Sequence, residues 1–418
     1  MGKTFAEKIF SLKTGKDLRA GAIVMVKPDF VLTHDNSSAI LSTFKKMGGK
    51  KVADPKQLLI VLDHIVPAND EKAATNHQKT RQFVAEQKLP HFYEGGRGIC
   101  HQVAVEEGFA RPGAFICGSD SHTTTYGALG AFSTGIGRSE AAGIWATGEI
   151  WLKVPESMKV VLKGKPKKWV TAKDVVLHIA GKIGADGALY YSMEFSGDYI
   201  DNCSIADRLV FTNMSVELGA KNGWMAPDKK AFDYLAVHGV KKEDCTVILP
   251  DADAVYAETL EIDVAKIEPL VAAPHSVDLV KTVVESTAVK ADQVLIGTCT
   301  NGRIEDLRQA AEILKGRKVA KGTRLLVLPA SSEVYIQAAD EGLLKIFVQA
   351  GGIVLNPGCG PCLGAHQGIM APNEITVSTA NRNFKGRMGC NTSFIYLASP
   401  YTAAATAVKG TIATPDML

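Results

Sequence analysis

The chain has 418 residues, 46% hydrophobic and 22% charged, with 39 glycines and 17 prolines. At ~100–200 residues per domain this length predicts roughly three domains, and the composition excludes disordered and fibrous classes. A net charge of +3 excludes a strongly basic binder of nucleic acid or anionic membrane, and the densest cationic run, Lys163 to Lys168, reads as a solvated turn. The longest apolar stretches, such as 57–62 and 324–328, stop well short of the ~18 residues of a membrane span. The start, Met1-Gly2-Lys3-Thr4-Phe5-Ala6, has neither a secretory apolar segment nor a myristoylation signal, so a cytosolic location is expected.

Short β-branched runs alternate with helical patterns from the beginning. A strand over 22–26 precedes a helix over 37–47; a strand over 58–62 precedes a helix over 69–87; a strand over 114–117 precedes a helix over 138–150. A second block follows, with a strand over 160–162, helices over 172–183 and 205–220 and a strand over 246–249, closed by a proline-containing linker near 270. The third block has a strand over 293–296, a helix over 305–314, a strand over 325–328, a helix over 334–349, a strand over 353–355 and a last helix after Arg387. The alternation predicts an α/β protein of three α/β/α domains with mainly parallel sheets, 1–155, 156–272 and 273–418. There is no repeat of solenoid period.

Open parallel sheets bind ligands beyond the carboxyl ends of their strands. At those positions the chain reads Asp63-His64, Asp120-Ser121-His122, Cys299-Thr300-Asn301, Cys359 and Asn381-Arg382. This concentration of acids, imidazoles, thiols and arginine predicts one composite site between domains.

Eight cysteines dispersed along the chain do not form a disulfide framework. Cys359 and Cys362 sit in Gly358-Cys-Gly-Pro-Cys-Leu-Gly364, a tight turn able to bring two thiols to one metal centre. A zinc site would want a second such pair, and no second CxxC exists. The residues after Cys362 make a poor helix, which argues against a thioredoxin-like pair. Cys299, 60 positions before Cys359, is the candidate third thiolate, and thiolates are the usual ligands of iron-sulfur clusters. Cys100, Cys117, Cys203 and Cys245 read as small buried hydrophobes. Cys390 is open: as a fourth ligand it would close a cluster and favour electron transfer.

Cys299-Thr-Asn, Gly351-Gly-Ile-Val-Leu with Cys359-Gly-Pro-Cys362, Asn381-Arg-Asn-Phe-Lys-Gly-Arg387 and Asp120-Ser-His-Thr123 together resemble the aconitase superfamily. Within it the chain is similar to large subunits of the two-subunit isopropylmalate dehydratase and homoaconitase group, from about residue 20 onward. The resemblance implies that Cys299, Cys359 and Cys362 hold a [4Fe-4S] cluster in a central cleft, one iron lacking a cysteine. It implies that Asp63 and His64 protonate a departing hydroxyl, that His101 pairs with Asp120, and that His122 pairs with Glu217. Arg382 and Arg387 resemble the family's substrate and cluster-proximal arginines; a guanidinium fork suits a carboxylate. Ser121 is expected to bind substrate, and Asn213, Asn301 and Asn381 to surround the cluster.

Monomeric aconitases have Gln-Asp where this chain has His34-Asp35, and Asn where it has Thr125. Both departures fall in the expected substrate shell and point to a branched or longer 2-hydroxy diacid. Isopropylmalate, homocitrate, citramalate and dimethylmalate all fit the motif set. The expected activity is dehydration and rehydration of such an acid. Competing readings are an RNA-binding regulator in the cluster-free state, disfavoured by the weak charge, and an electron carrier or zinc protein. The family's carbon base lies in a Ser-Ser-Arg motif, whereas Ser37-Ser38 is followed by Ala39 and Ser331-Ser332 by Glu333. A separate small swivelling subunit supplying that serine, an arginine and side-chain selectivity is therefore the expected partner.

Overall fold

The computed structural model describes residues 2–418. It is a mixed α/β fold built on three largely parallel sheets and one short two-stranded ribbon. In the first sheet the strand order is His91–Tyr93, Leu58–Val61, Phe30–Thr33, Phe115–Gly118, Phe132–Gly135, all parallel. Leu58–Val61 and Phe115–Gly118 are buried along their whole length, as expected of strands covered on both faces. Chain order reverses between Phe30–Thr33 and Phe115–Gly118, which opens a crevice beyond their carboxyl ends.

The second sheet runs Asn222–Met225, Ser192–Ser196, Ser157–Lys163, Glu258–Asp263, again parallel. Its last member is not the run 246–249 read from the sequence, which is irregular. Glu258–Asp263 escapes a hydrophobicity reading because it is an edge strand in which only Ile262 is buried.

The third sheet carries seven strands. Five are parallel, in the order Phe394–Ala398, Ile375–Ser378, Gln293–Gly297, Arg324–Leu328, Ile353–Val354, and Leu270–Ala272 and Val280–Thr282 extend it antiparallel. Leu270–Ala272, which the sequence places at the end of the second block, pairs with Phe394–Ala398 here. The order reverses again, between Gln293–Gly297 and Ile375–Ser378.

Two predicted helices are broken. Residues 334–349 form Ser332–Asp340 and Leu343–Ala350, separated at Gly342, whose φ of 73° no helix tolerates. Residues 205–220 form Ile205–Met214 and then the 3-10 turn Ser215–Leu218. That tightening carries Glu217 out of the helix and toward the first sheet. Apolar clusters fill the spaces between helices and sheets, and one spans the second and third sheets through Leu295, Leu326, Met193 and Val210. Among the described residues no helix is long and apolar enough to cross a membrane.

Candidate active site

The site gathers where the two chain-order reversals face each other. Asp63 and His64 follow Leu58–Val61, His34 and Asp35 follow Phe30–Thr33, and Asp120 follows Phe115–Gly118. Cys299 follows Gln293–Gly297, and Asn381 and Arg382 follow Ile375–Ser378. Strand ends that are far apart in sequence thus deliver their side chains to one place.

Asp120 is the hub. As the N-cap of the 3-10 turn Ser121–Leu129 it accepts from the His122 amide at 2.8 Å. The same oxygen lies 2.9 Å from His101 Nε2, and its second oxygen lies 3.5 Å from His64 Nε2. His64 Nδ1 meets Asp63 Oδ1 at 2.5 Å, and His122 Nε2 meets Glu217 Oε1 at 2.7 Å. Arg382 donates through Nε to that Glu217 oxygen at 2.7 Å. The predicted pairs His101–Asp120 and His122–Glu217 are therefore both in contact.

Burial disfavours charge on His64, yet Asp63 and Asp120 outweigh it and hold the imidazole well above its usual range. Burial and Arg382 likewise oppose charge on His122, and Asp120 and Glu217 prevail. Burial raises Asp120, but hydrogen bonds from His101, His122 and His64 bring it well below the ordinary carboxylate range. His34 behaves oppositely: burial and the charge of His64, on which its ring stacks at 3.7 Å, push it down to about 4. His34 Nδ1 is buried without a partner.

On the other side, Cys299, Cys359 and Cys362 are all buried. The Cys359 and Cys362 thiols meet, and Cys299 lies near enough to feel the charge of Cys362. Asn213 Nδ2 and Asn381 Nδ2 point at Cys299 Sγ at 3.4 and 3.6 Å, and an Arg387 amino group points at Cys362 Sγ at 3.4 Å. Three converging buried sulfurs, each side furnished with N–H donors, suit a thiolate-bound cluster. Burial pushes Cys299 up to about 12, a proton that metal binding would displace. Cys390 is only half-buried and its thiol bonds Thr392. The turn Gly360–Leu363 stops at Gly364, whose φ of 67° brings the chain back against Gly389. Cys359 N donates to Asp63 O at 2.7 Å, so the two sides are joined by backbone.

Other predicted residues take different places. Asn301 does not face the sulfurs: it donates to Asp306 at 2.8 Å and accepts from Lys173 at 3.3 Å. Ser121 is half-buried and borders a cavity of about 470 Å³ with Thr134, Val216 and Lys221. Of the cysteines read as core, Cys100, Cys117 and Cys203 are buried, but Cys245 is only half-buried.

Sequence reading placed Asp35 only beside His34 in the expected substrate shell, with no role of its own, and missed His77. Asp35 accepts the amides of Asp63, His64 and Ile65 at 2.7–3.0 Å, with His77 Nε2 at 2.7 Å. Burial would raise this carboxylate, but His77, His64 and the amides hold it far down. The signal for His77 was helical spacing: it shares the buried stripe Ala73, His77, Thr80, Phe83 of a helix with a mostly polar surface. Also missed was Arg303, which donates to the Cys299 and Thr300 carbonyls at 2.8 and 2.9 Å and to Gln102 at 3.0 Å.

An α/β scaffold presenting three thiols opposite three carboxylate-held histidines is a constellation suited to acid–base chemistry beside a thiolate-bound metal. The Aconitase family (aconitate hydratase) matches residues 7–410. The chain belongs to that family and is an enzyme of the hydro-lyase type. It is 50% identical to the "3-isopropylmalate dehydratase large subunit 1" of Pyrococcus furiosus, covering 99% of each chain. It is 47% identical to the "Probable 3-isopropylmalate dehydratase large subunit" of Methanothermobacter thermautotrophicus over 100% of both. Among solved structures, Thermococcus kodakaraensis aconitase X (holo-form) aligns with a TM-score of 0.51 at 13% identity, covering 90% of this chain and 89% of that one, a likeness of fold.

Proposed function

We propose that the chain is the large subunit of a two-subunit 3-isopropylmalate dehydratase, interconverting 2- and 3-isopropylmalate by dehydration and rehydration. The observation that carries this reading is the set of three buried thiols joined through Cys359 N and Asp63 O to the Asp63–His64 pair. Cys299, Cys359 and Cys362 would hold a [4Fe-4S] cluster, which supplies a Lewis acid for the hydroxyl and carboxylate of the substrate. His64, kept protonated by Asp63 and Asp120, is the acid that gives its proton to the departing hydroxyl. Asp35 fixes the backbone from which His64 projects. His101 and His122 are held by Asp120 and Glu217 and orient substrate and water. Arg382 and Arg387 orient carboxylates, and Asn213 and Asn381 dress the Cys299 sulfur.

Elimination also requires a base for the carbon-bound proton. Ser37 is tied to Thr33 and the His34 carbonyl, and Ser331 to Glu106 and Val334, so one serine of each pair has a local duty. A swivelling small subunit is proposed to bring the serine base, a further arginine and the contact with the substrate's side chain. The division into units 1–155, 156–272 and 273–418, and a cytoplasmic location, are proposed on the same footing.

The test is an anaerobic assay of iron-loaded chain with and without the small subunit, on a panel of 2-isopropylmalate, homocitrate, citramalate and dimethylmalate. The expected result is formation of the alkene diacid from isopropylmalate only when both subunits are present. Turnover by the isolated chain would refute the two-subunit reading, and preference for another acid would refute the substrate.

A further inference from the structure

Lys173 is fully buried, an environment that ordinarily excludes an ammonium. It belongs to the helix Ala172–Ile183, whose N-cap Thr171 and its partner Asp174 form a capping box. Asp174 also accepts the Leu270 amide at 2.9 Å, which pins the start of this helix to the third sheet. From that anchored turn the lysine reaches three oxygens: the Ala380 carbonyl at 2.6 Å, the Thr379 carbonyl at 2.8 Å and Asn301 Oδ1 at 3.3 Å. An ammonium has three protons and no lone pair, whereas a neutral amine would turn its lone pair on one of these oxygens. The three acceptors match the charged form, which burial disfavours and which Asp306 and the neighbouring thiols support, leaving the ammonium lowered to about 7.

All three are uncharged. Asp306, the nearby carboxylate, is already bonded to Asn301 and to the Arg303 amide. The oxygens that Lys173 holds lie on the two segments bearing the sulfur-facing residues. Thr379 and Ala380 immediately precede Asn381, and Asn301 is two residues beyond Cys299. The Ala380 side chain packs with Cys359 and Cys362.

We propose that Lys173 is a positioning residue for the iron-bearing end of the site, holding the Cys299 and Asn381 segments together and supplying a buried positive charge beside the thiolates. The proposal rests on the reading of Cys299, Cys359 and Cys362 as ligands. A cluster held by three thiolates brings negative charge into this region, and a fixed cation there favours holding it and favours its reduced state. Without iron the same ammonium is a liability, because burial disfavours the charge and its three hydrogen-bond acceptors are neutral.

The experiment compares the wild-type chain with Lys173→Met and Lys173→Gln, the second retaining N–H donors without the charge. Each is reconstituted anaerobically with iron and sulfide, and iron affinity, cluster midpoint potential and thermal unfolding with and without iron are recorded. Both variants are expected to bind iron roughly 10- to 100-fold more weakly and to show a more negative midpoint potential. The Met variant, free of iron, is expected to unfold at or above the wild-type temperature, and the ranking is expected to reverse once iron is bound. Unchanged potential and affinity, with stability lowered equally in both states, would show a purely structural tie and overturn the proposal. Variants that fail to fold even without iron would overturn it in the same way. Wild-type chain that takes up no cluster would instead bring down the ligand assignment, and the proposal with it.

Discussion

On the histidine side of the site every carboxylate already has its partners: Asp120 accepts from His101 and the His122 amide, Glu217 from His122 and Arg382, Asp35 from three amides and His77. On the thiol side N–H donors face Cys299 and Cys362, but among the described residues no acid–base partner completes a pair; burial pushes Cys299 up to about 12 and helps hold Cys359 well above the ordinary thiol range. The difference is chemical. Imidazole and carboxylate complement each other, so such a network can be completed by folding, whereas thiolates repel and need a cation to converge on. The acid–base half is therefore completed within the fold, and the thiol half is suited to a bound cation.

The largest expected effect separates the two halves outright. Cys299→Ser, Cys359→Ser and Cys362→Ser should each abolish cluster retention and activity, while Cys390→Ser should keep both; iron analysis after anaerobic reconstitution checks this. Loss of iron in the Cys390 variant would close the cluster with a fourth thiolate and remove the open iron.

Next comes the acid. His64→Gln should lower turnover by on the order of 10²- to 10⁴-fold with iron content intact. Normal turnover would remove His64 from proton delivery, and lost iron would mean that the halves are not separable as argued.

A smaller effect is expected at His77, which braces Asp35 behind His64 and is not assigned a step in the chemistry. His77→Asn should lower unfolding free energy by about 1–3 kcal/mol, since a hydrogen bond to a buried charge is lost. Urea unfolding of the iron-free chain measures it, and an unchanged midpoint would show that Asp35 is held by the three amides alone.

The smallest effect concerns pH. His34 has its folded-state value near 4, below the unfolded imidazole value, so its contribution is present above about 6.5 and lost as pH falls toward 4. Relative to His34→Asn, the wild-type chain should lose up to about 1.4 kcal/mol per pH unit between pH 6.5 and 5.5. Parallel stability curves for the two proteins would show that His34 takes up its proton as readily in the fold as in the unfolded chain.

Alternation of β-branched and helical runs made the α/β class legible, because parallel strands covered on both faces must be continuously apolar. Glu258–Asp263 was illegible for the complementary reason: an edge strand with one buried residue carries almost no periodic signal. The cysteine spacing and the strand-end acids and imidazoles were legible because their chemistry is local to a few residues. Asn301 read as part of the same motif, and only the fold turned it toward Asp306 and Lys173.

By itself, then, the sequence determined which side chains could do chemistry and on which strand ends they stand. Tertiary structure decided which of them touch. Asp63 reaches Cys359 across nearly three hundred positions through one backbone hydrogen bond, and Lys173 reaches Ala380 across 207. No local pattern encodes those contacts, since they follow from how three sheets pack, and packing is fixed by the summed burial of the whole chain rather than by the residues that meet.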